Sequence, residues 1–372
     1  MIANIVHIGK RQSKKKSGEE RLCLDKNMRQ KKRKKIGWSG LIYFVFVLFF
    51  AVLIISRWSD VVRIFSSMKE ANYFWLVAAL GVQILIVANQ SMFYSDCYRF
   101  FGLRVGWWRF FQLVPAANFM SMVSPSGGFV AGISLLFWDG HKLNLPKGKL
   151  VLAHVVYWVV YYLVYLLFLL VGLFYLIIHQ QLKDYVIFPA LIMFAVVFVV
   201  LAVLVVSMDN FDRFKSTSLK VVEYINRFNR WLNRDNKIDI RLVKKYSYEI
   251  YDGYHLTITS IGRLKKILYR SVLQIFLNVL ILMVLVWSLG GNGGSFAVLL
   301  SCYVVAALLM VISITPSGVG VVELAMITIL KASVLDFDRA VLVVLLYRFF
   351  QFWLPLIWGF WAFRRINFIN RK

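Results

Sequence analysis

Residues 315–323 read Thr-Pro-Ser-Gly-Val-Gly-Val-Val-Glu, and they interrupt the apolar stretch 295–333. Proline removes a backbone donor and glycine frees the chain from helical geometry, so a helix is expected to stop here. The piece beyond the break, Val321–Lys331, is about ten residues long. At 1.5 Å per residue it covers about half of a hydrocarbon core roughly 30 Å thick. Irregular backbone at membrane depth survives only inside protein or beside a water-filled cavity. The stretch therefore predicts a broken or re-entrant helical hairpin. A second one lies earlier. Residues 124–132 read Ser-Pro-Ser-Gly-Gly-Phe-Val-Ala-Gly, interrupt the apolar stretch 107–138, and leave the short piece Phe129–Trp138. At an offset of 191 (316 − 125), Pro125/Pro316, Ser126/Ser317, Gly127/Gly318 and Val130/Val321 match.

The rest of the chain sets these breaks in a membrane. Of its 372 residues, 60% are hydrophobic and 17% charged, with a mean hydropathy of +0.68. A soluble domain has about 45–50% apolar and about 25% charged residues, so a soluble fold is excluded. Disorder is excluded too, because 16% of the residues are aromatic and must be buried somewhere. Six apolar segments qualify as full spans: 38–56, 73–91, 150–178, 186–207, 267–289 and 338–363. The fold class expected is an all-α integral membrane protein, with six full spans and two broken hairpins.

Charge orients the spans. The net charge is +26, and 13 Lys/Arg lie in residues 1–35 and another 13 in 208–266. The last residues add Arg364, Arg365, Arg371 and Lys372. Positive loops stay in the cytoplasm. The expected organisation is a basic cytoplasmic tail (1–37), a first membrane half (38–207), a basic cytoplasmic insert (208–266), a second membrane half (267–363) and a basic cytoplasmic tail (364–372). Both termini are then cytoplasmic, in the plasma membrane of a cell. The N-terminal run reads as an orienting signal that attracts anionic lipid, ahead of a nucleic-acid arm, so no nucleic-acid partner is expected. In the insert, Leu219, Val222, Ile225, Phe228 and Leu232 share a helical face, which predicts an amphipathic helix on the inner leaflet or against a partner protein. With this topology one hairpin dips in from inside and the other from outside. That is an inverted-topology repeat, the arrangement in which transporters hold substrate near the midplane. Two ordinary kinks in bundle helices are the alternative. Charge alone does not separate re-entrant from crossing hairpins.

Few ionisable groups fall within the spans, and each is a functional-site hypothesis. Glu323 follows the second break and Arg348 lies ten residues into the last span, 338–363. They are natural counter-charges. Arginine also grips phosphate through a planar fork of donors. Helix starts after Gly128 and Gly320 would aim bare N–H groups at an anion. Together these outline a phosphate-headgroup pocket, whereas a purely structural Glu323–Arg348 pair is the simpler reading. Exchanging the two residues is expected to separate the readings. Asn118 either lines the cavity or packs two helices. His154 is expected as a packed, hydrogen-bonded histidine, and Arg109 and Lys331 are expected to snorkel. Three scattered cysteines and five scattered histidines give no metal spacing. No nucleotide loop, HExxH or nucleophile elbow is found, so no cofactor, metal or catalytic residue is expected.

The stretch Pro316-Ser317-Gly318-Val319-Gly320-Val321-Val322-Glu323, with Arg348 in the next span, resembles a known motif. It is the Pro-x-Gly-x-Gly-x-x-Glu of the membrane domain of bacterial lysylphosphatidylglycerol synthases, a domain also found as stand-alone flippase-like proteins. Asn118 and Pro125-Ser126-Gly127-Gly128 resemble its first-half motif. The resemblance covers about residues 38–363. One departure is that family members often carry a charge just after the first Gly-Gly, where this chain has Phe129-Val130-Ala131-Gly132. In full-length relatives a soluble domain follows and moves an aminoacyl group from tRNA to phosphatidylglycerol. Here the chain stops at Lys372, so that half is expected to be missing. The resemblance implies a lipid translocase for a charged or phosphate-bearing lipid, such as lysylphosphatidylglycerol or a glycolipid, and a link to resistance against cationic peptides. A phosphatidylglycerol lysyltransferase-type enzyme, or an accessory protein for one, is the alternative. The implied partners are anionic or aminoacylated lipids, with a homo-oligomer or a lipid-modifying enzyme as further ones. The expected substrate-binding set is Asn118, Pro125, Ser126, Gly127, Gly128, Pro316, Ser317, Gly318, Gly320, Glu323 and Arg348.

Overall fold

A computed structural model describes residues 71–123, 128–180, 184–208, scattered positions between 212 and 227, 261–291, 294–313, 318 and 320–369. All of these lie in the unit Ile64–Lys372. The expected first span, 38–56, the N-terminal basic tail and most of the 208–266 insert with its amphipathic helix fall outside the described residues, whereas 364–369 of the expected C-terminal tail continue the last helix. Among those described there are helices and no strand.

The helices follow in chain order: α1 (Tyr73–Phe100), α2 (Trp107–Val123), α3 (Gly128–Lys142), α4 (Lys147–Ile178), α5 (Asp184–Met208), α6 (Ile261–Ser288), α7 (Phe296–Ile312), α8 (Val321–Ser333), α9 (Phe337–Arg348) and α10 (Leu354–Ile369). A π-helical turn, Phe349–Trp353, joins α9 to α10. Among the described residues four stretches are long and apolar enough to cross a membrane: Tyr73–Phe100, Lys147–Ile178, Leu264–Ser288 and Phe337–Ile366. The expected span 186–207 lies within α5. Large side chains such as Leu167, Phe174, Phe188, Leu191 and Phe198 stand exposed along α4 and α5. So much outward apolar surface suits lipid and not water. The chain is a multi-pass membrane protein.

Both interrupted stretches fold as helical hairpins. α2 and α3 lie antiparallel. A methyl group at Gly132 would meet the Ala117 carbonyl oxygen at 2.7 Å, so the two legs touch backbone to backbone near the break. At the open end Arg109 grips Asp139 through two hydrogen bonds of 2.8 Å. α7 and α8 pair the same way. Cys302 Sγ lies 3.9 Å from the Met326 carbonyl, and a methyl group at Gly294 would meet Val334 Cγ2 at 2.8 Å. The legs after the breaks are longer than the sequence pieces suggested: α3 has 15 residues and α8 has 13. Those are about 22 and 20 Å, still short of the roughly 30 Å core.

The hairpins pack into the bundle through close crossings. α10 crosses α2 where a methyl group at Gly359 would collide with the Pro115 carbonyl oxygen. α7 crosses α4 at Gly172, whose carbonyl accepts from Ser301 Oγ at 3.0 Å. Tyr165 of α4 donates to the Val304 carbonyl beside it. Small residues at crossings let helices approach without a hydrophobic driving force between them. α1 and α6 run antiparallel: Asn72 N–H donates to the Ser288 carbonyl at one end, and Asp96 meets Lys266 at the other.

Candidate functional site

The second hairpin turns through glycine. Gly318 has φ +68° and Gly320 has φ +95°, in the left-handed region that L side chains rarely adopt. A methyl group at Gly318 would also press on Met310 Cα at 3.0 Å. α8 starts directly after this turn. Glu323, three residues into the turn of α8, reaches back so that Gly320 N–H donates to its Oε2 at 2.6 Å. A carboxylate there meets the positive end of the helix dipole. Glu323 thus occupies the Gly320 N–H at the start of α8.

The other oxygen of Glu323 faces Arg348. Arg348 Nε lies 2.9 Å from Oε1, with the arginine side chain 10% exposed and the glutamate 23%. The N–H does not aim along that line, so the contact is an ion pair more than an aligned hydrogen bond. Arg348 Nη2 donates to the Gly318 carbonyl at 3.4 Å. One guanidinium thus holds a carboxylate and the carbonyl of the glycine turn. This geometry also corrects the exchange experiment. An arginine at position 323 would oppose the α8 dipole and lose the Gly320 hydrogen bond, so exchange disrupts the pair under either reading.

Arg348 is the last residue of α9. Just beyond it Leu354 N–H donates to the Phe349 carbonyl, five residues back, and widens the helix into the π turn. Pro355 explains the widening. It has no N–H for the Gln351 carbonyl, and its ring crowds that oxygen. π turns recur where a helix must place side chains for function. Here the turn carries Gln351, whose Nε2 donates to Asn278 Oδ1 of α6 at 3.0 Å.

Asn118 lies elsewhere, on α2 of the first hairpin. Its Nδ2 donates to Gln90 Oε1 at 3.0 Å, and Gln90 Nε2 donates back at 3.4 Å. No contact joins it to Arg348 among the described residues. Pro125, Ser126, Gly127, Pro316 and Ser317 fall outside the described residues, and Gly128 is the first residue of α3. The structure so brings together Gly318, Gly320, Glu323 and Arg348, and holds Asn118 of α2 apart, against Gln90 of α1. His154 is buried as expected, with Nδ1 2.8 Å from the Leu150 carbonyl and its ring on Phe137. Arg109 does not simply snorkel, because Asp139 holds it. Lys331 lies 5.5 Å above the Phe337 ring.

Sequence reasoning passed over a polar stripe on α6. Lys266, Arg270, Gln274 and Asn278 recur every four residues along a largely apolar helix, which places them on one face. That periodicity was the available signal. Gln274 Oε1 accepts from Asn89 Nδ2 at 2.8 Å, and Asn278 Nδ2 donates to the Gln274 carbonyl at 2.7 Å. Asp96 takes Lys266 at 3.0 Å and Arg270 at 3.3 Å. Among the described residues no group of three or more His, Cys, Asp or Glu could hold a metal ion.

These features define a class, a multi-pass helical membrane protein with a charged pair buried at a broken helix. More narrowly, the chain belongs to the family described as lysylphosphatidylglycerol synthase TM region, which matches residues 38–359. No curated protein matches it in sequence. The family ties the chain to membrane lipids.

Proposed function

We infer that the protein moves a phosphate-bearing lipid, such as an aminoacylated phospholipid or a glycolipid, from one leaflet to the other. The observation that carries this reading is the Glu323–Arg348 pair, desolvated against the carbonyl of the Gly318 turn. A buried pair is a poor source of stability, since desolvation offsets much of its attraction. Its use lies in being exchangeable: a headgroup phosphate takes the Arg348 fork, and Glu323 keeps its hydrogen bond to Gly320. An ammonium on the headgroup would face Glu323. The acyl chains stay in lipid. The two hairpins support reading the chain as an inverted repeat, since each is a helix, a short interruption and a shorter antiparallel leg. The basic blocks support cytoplasmic termini in the plasma membrane. Whether relatives pair this domain with an aminoacyltransferase or keep it alone, the site described here suits passage of a headgroup.

The test is lipid scrambling in proteoliposomes, read by leaflet-selective quenching of fluorescent lipids with different headgroups. The native chain is expected to speed headgroup-dependent exchange, and Arg348→Ala to abolish it while the protein still folds. Exchange undiminished by Arg348→Ala would sink the assignment. Turnover of labelled aminoacyl-tRNA by the pure protein would replace it with the lysyltransferase-type reading.

A further inference from the structure

α1 and α6 meet along a seam whose half nearest Asp96 is polar. It starts at Asp96, Lys266 and Arg270, where Lys266 is 59% exposed. It continues inward through Asn89, Gln274 and Asn278 and reaches Gln351, three residues past Arg348. Every contact between neighbours on this line is a hydrogen bond or an ion pair. In the antiparallel register that sets Asn72 beside Ser288 and Asp96 beside Lys266, Gln83 falls level with Asn278.

Two explanations compete. Interhelical hydrogen bonds hold membrane helices together. A seam built only for that purpose would leave no partner missing. Yet Ser271 Oγ on α6, fully buried one residue past Arg270, has no partner among the described residues, and neither has Oε1 of Gln83, 3% exposed on the adjoining face of α1. Buried polar atoms are almost always satisfied, and exceptions need an explanation. Water supplies one. A closed interface gains a little from each hydrogen bond made and nothing from a buried polar atom left without a partner. One that parts and fills with water trades each hydrogen bond for another at small net cost. The surplus charge agrees: Lys266 and Arg270 outnumber Asp96, so the exposed end attracts an anion.

We propose that the α1–α6 seam is a hydratable inlet that carries the anionic lipid headgroup from the surface at Lys266 to Arg348. This rests on the reading of Arg348 as the headgroup site, and it adds the route and the side from which the headgroup arrives. Lys266 and Arg270 receive the phosphate first. The Asn89–Gln274–Asn278–Gln351 line then gives and takes hydrogen bonds along the way.

Thiol labelling in the full chain tests it. The native cysteines, of which Cys97 and Cys302 are buried, are first replaced by alanine. Asn278→Cys and Gln351→Cys are then compared with Leu282→Cys, a fully buried apolar position on α6. A water-soluble, membrane-impermeant thiosulfonate is expected to modify positions 278 and 351 at least ten-fold faster than position 282. Glycerophosphoglycerol, a phospholipid headgroup without its chains, is expected to slow modification at 278 several-fold, and inorganic phosphate to slow it less. Labelling at 278 and 351 no faster than at 282 overturns the inlet. Fast labelling that glycerophosphoglycerol does not slow overturns the headgroup route. Scrambling is measured on the same preparations, so a protein that scrambles with an unlabelled seam refutes this proposal and leaves the function standing.

Discussion

Arg348 and Glu323 divide their work unequally. Arg348 meets the Glu323 carboxylate and the Gly318 carbonyl, whereas Glu323 also caps α8 through Gly320. Glu323→Gln keeps a hydrogen-bond acceptor for Gly320 but leaves a guanidinium buried against a neutral amide. Breaking a buried pair costs about 3–5 kcal/mol, and the partial exposure of Glu323 puts this case at about 3 kcal/mol. Thermal unfolding in detergent should show a matching fall in Tm. Arg348→Lys keeps the charge and loses the fork, so its stability should fall less than that of Arg348→Ala while scrambling of phosphate-bearing lipids drops at least ten-fold. The two substitutions together tell a pinning contact from a phosphate grip. Part of this was legible beforehand. An isolated acid after a Pro/Gly break and an isolated arginine in the next span stand out because charges are rare there. The link from Glu323 back to Gly320 was not, since it needs the left-handed turn that only coordinates reveal.

Among the elements, the hairpins and close crossings set the rigidity. α10 lies on α2 at Gly359, and α3 lies on α2 at Gly132, with backbone atoms on the receiving side in both places. A carbonyl in a helix does not move aside as a flexible side chain would. Gly359→Val and Gly132→Val should each lower stability by about 1–3 kcal/mol, the usual range for overpacking. Gly81, around which there is open space, is the control: Gly81→Ala should leave Tm unchanged or raise it slightly. The hairpins themselves were readable, because proline and glycine interrupt apolar runs whose pieces are too short to cross. The clasp between Arg109 and Asp139 was not, because the residues are 30 apart and only the antiparallel fold joins them. The α6 stripe was visible as a four-residue period but faint, since each polar residue stands alone among apolar neighbours. Gln351 could be matched to Asn278 only with the π turn in hand.

At the scale of the molecule, charge and span lengths predict sides that a labelling experiment checks. α4 has 32 residues, about 48 Å at 1.5 Å per residue, so its ends lie on opposite sides of the bilayer. His141, just before α4, and His179, just after it, are both exposed. In whole cells His179→Cys should react with an impermeant maleimide. His141→Cys should react only after permeabilisation, together with thiols placed in the basic 208–266 insert. Labelling in the reverse order would invert the topology and make Lys266 the outer end of the seam.

The π turn has a further meaning for chain length. It holds one residue more than an α-helix needs between the same two ends. Elsewhere in Phe337–Ile369, deleting a residue would rotate one flank by about 100° against the other and tear α9 from α8 or α10 from α2. Between Phe349 and Trp353 the same deletion merely relaxes the spiral and leaves both flanks facing as before. The last span thus carries a single spare position beside its arginine. A chain one residue shorter there is expected to keep the ion pair, and where the residue removed is Gln351 it loses the bond to Asn278 as well.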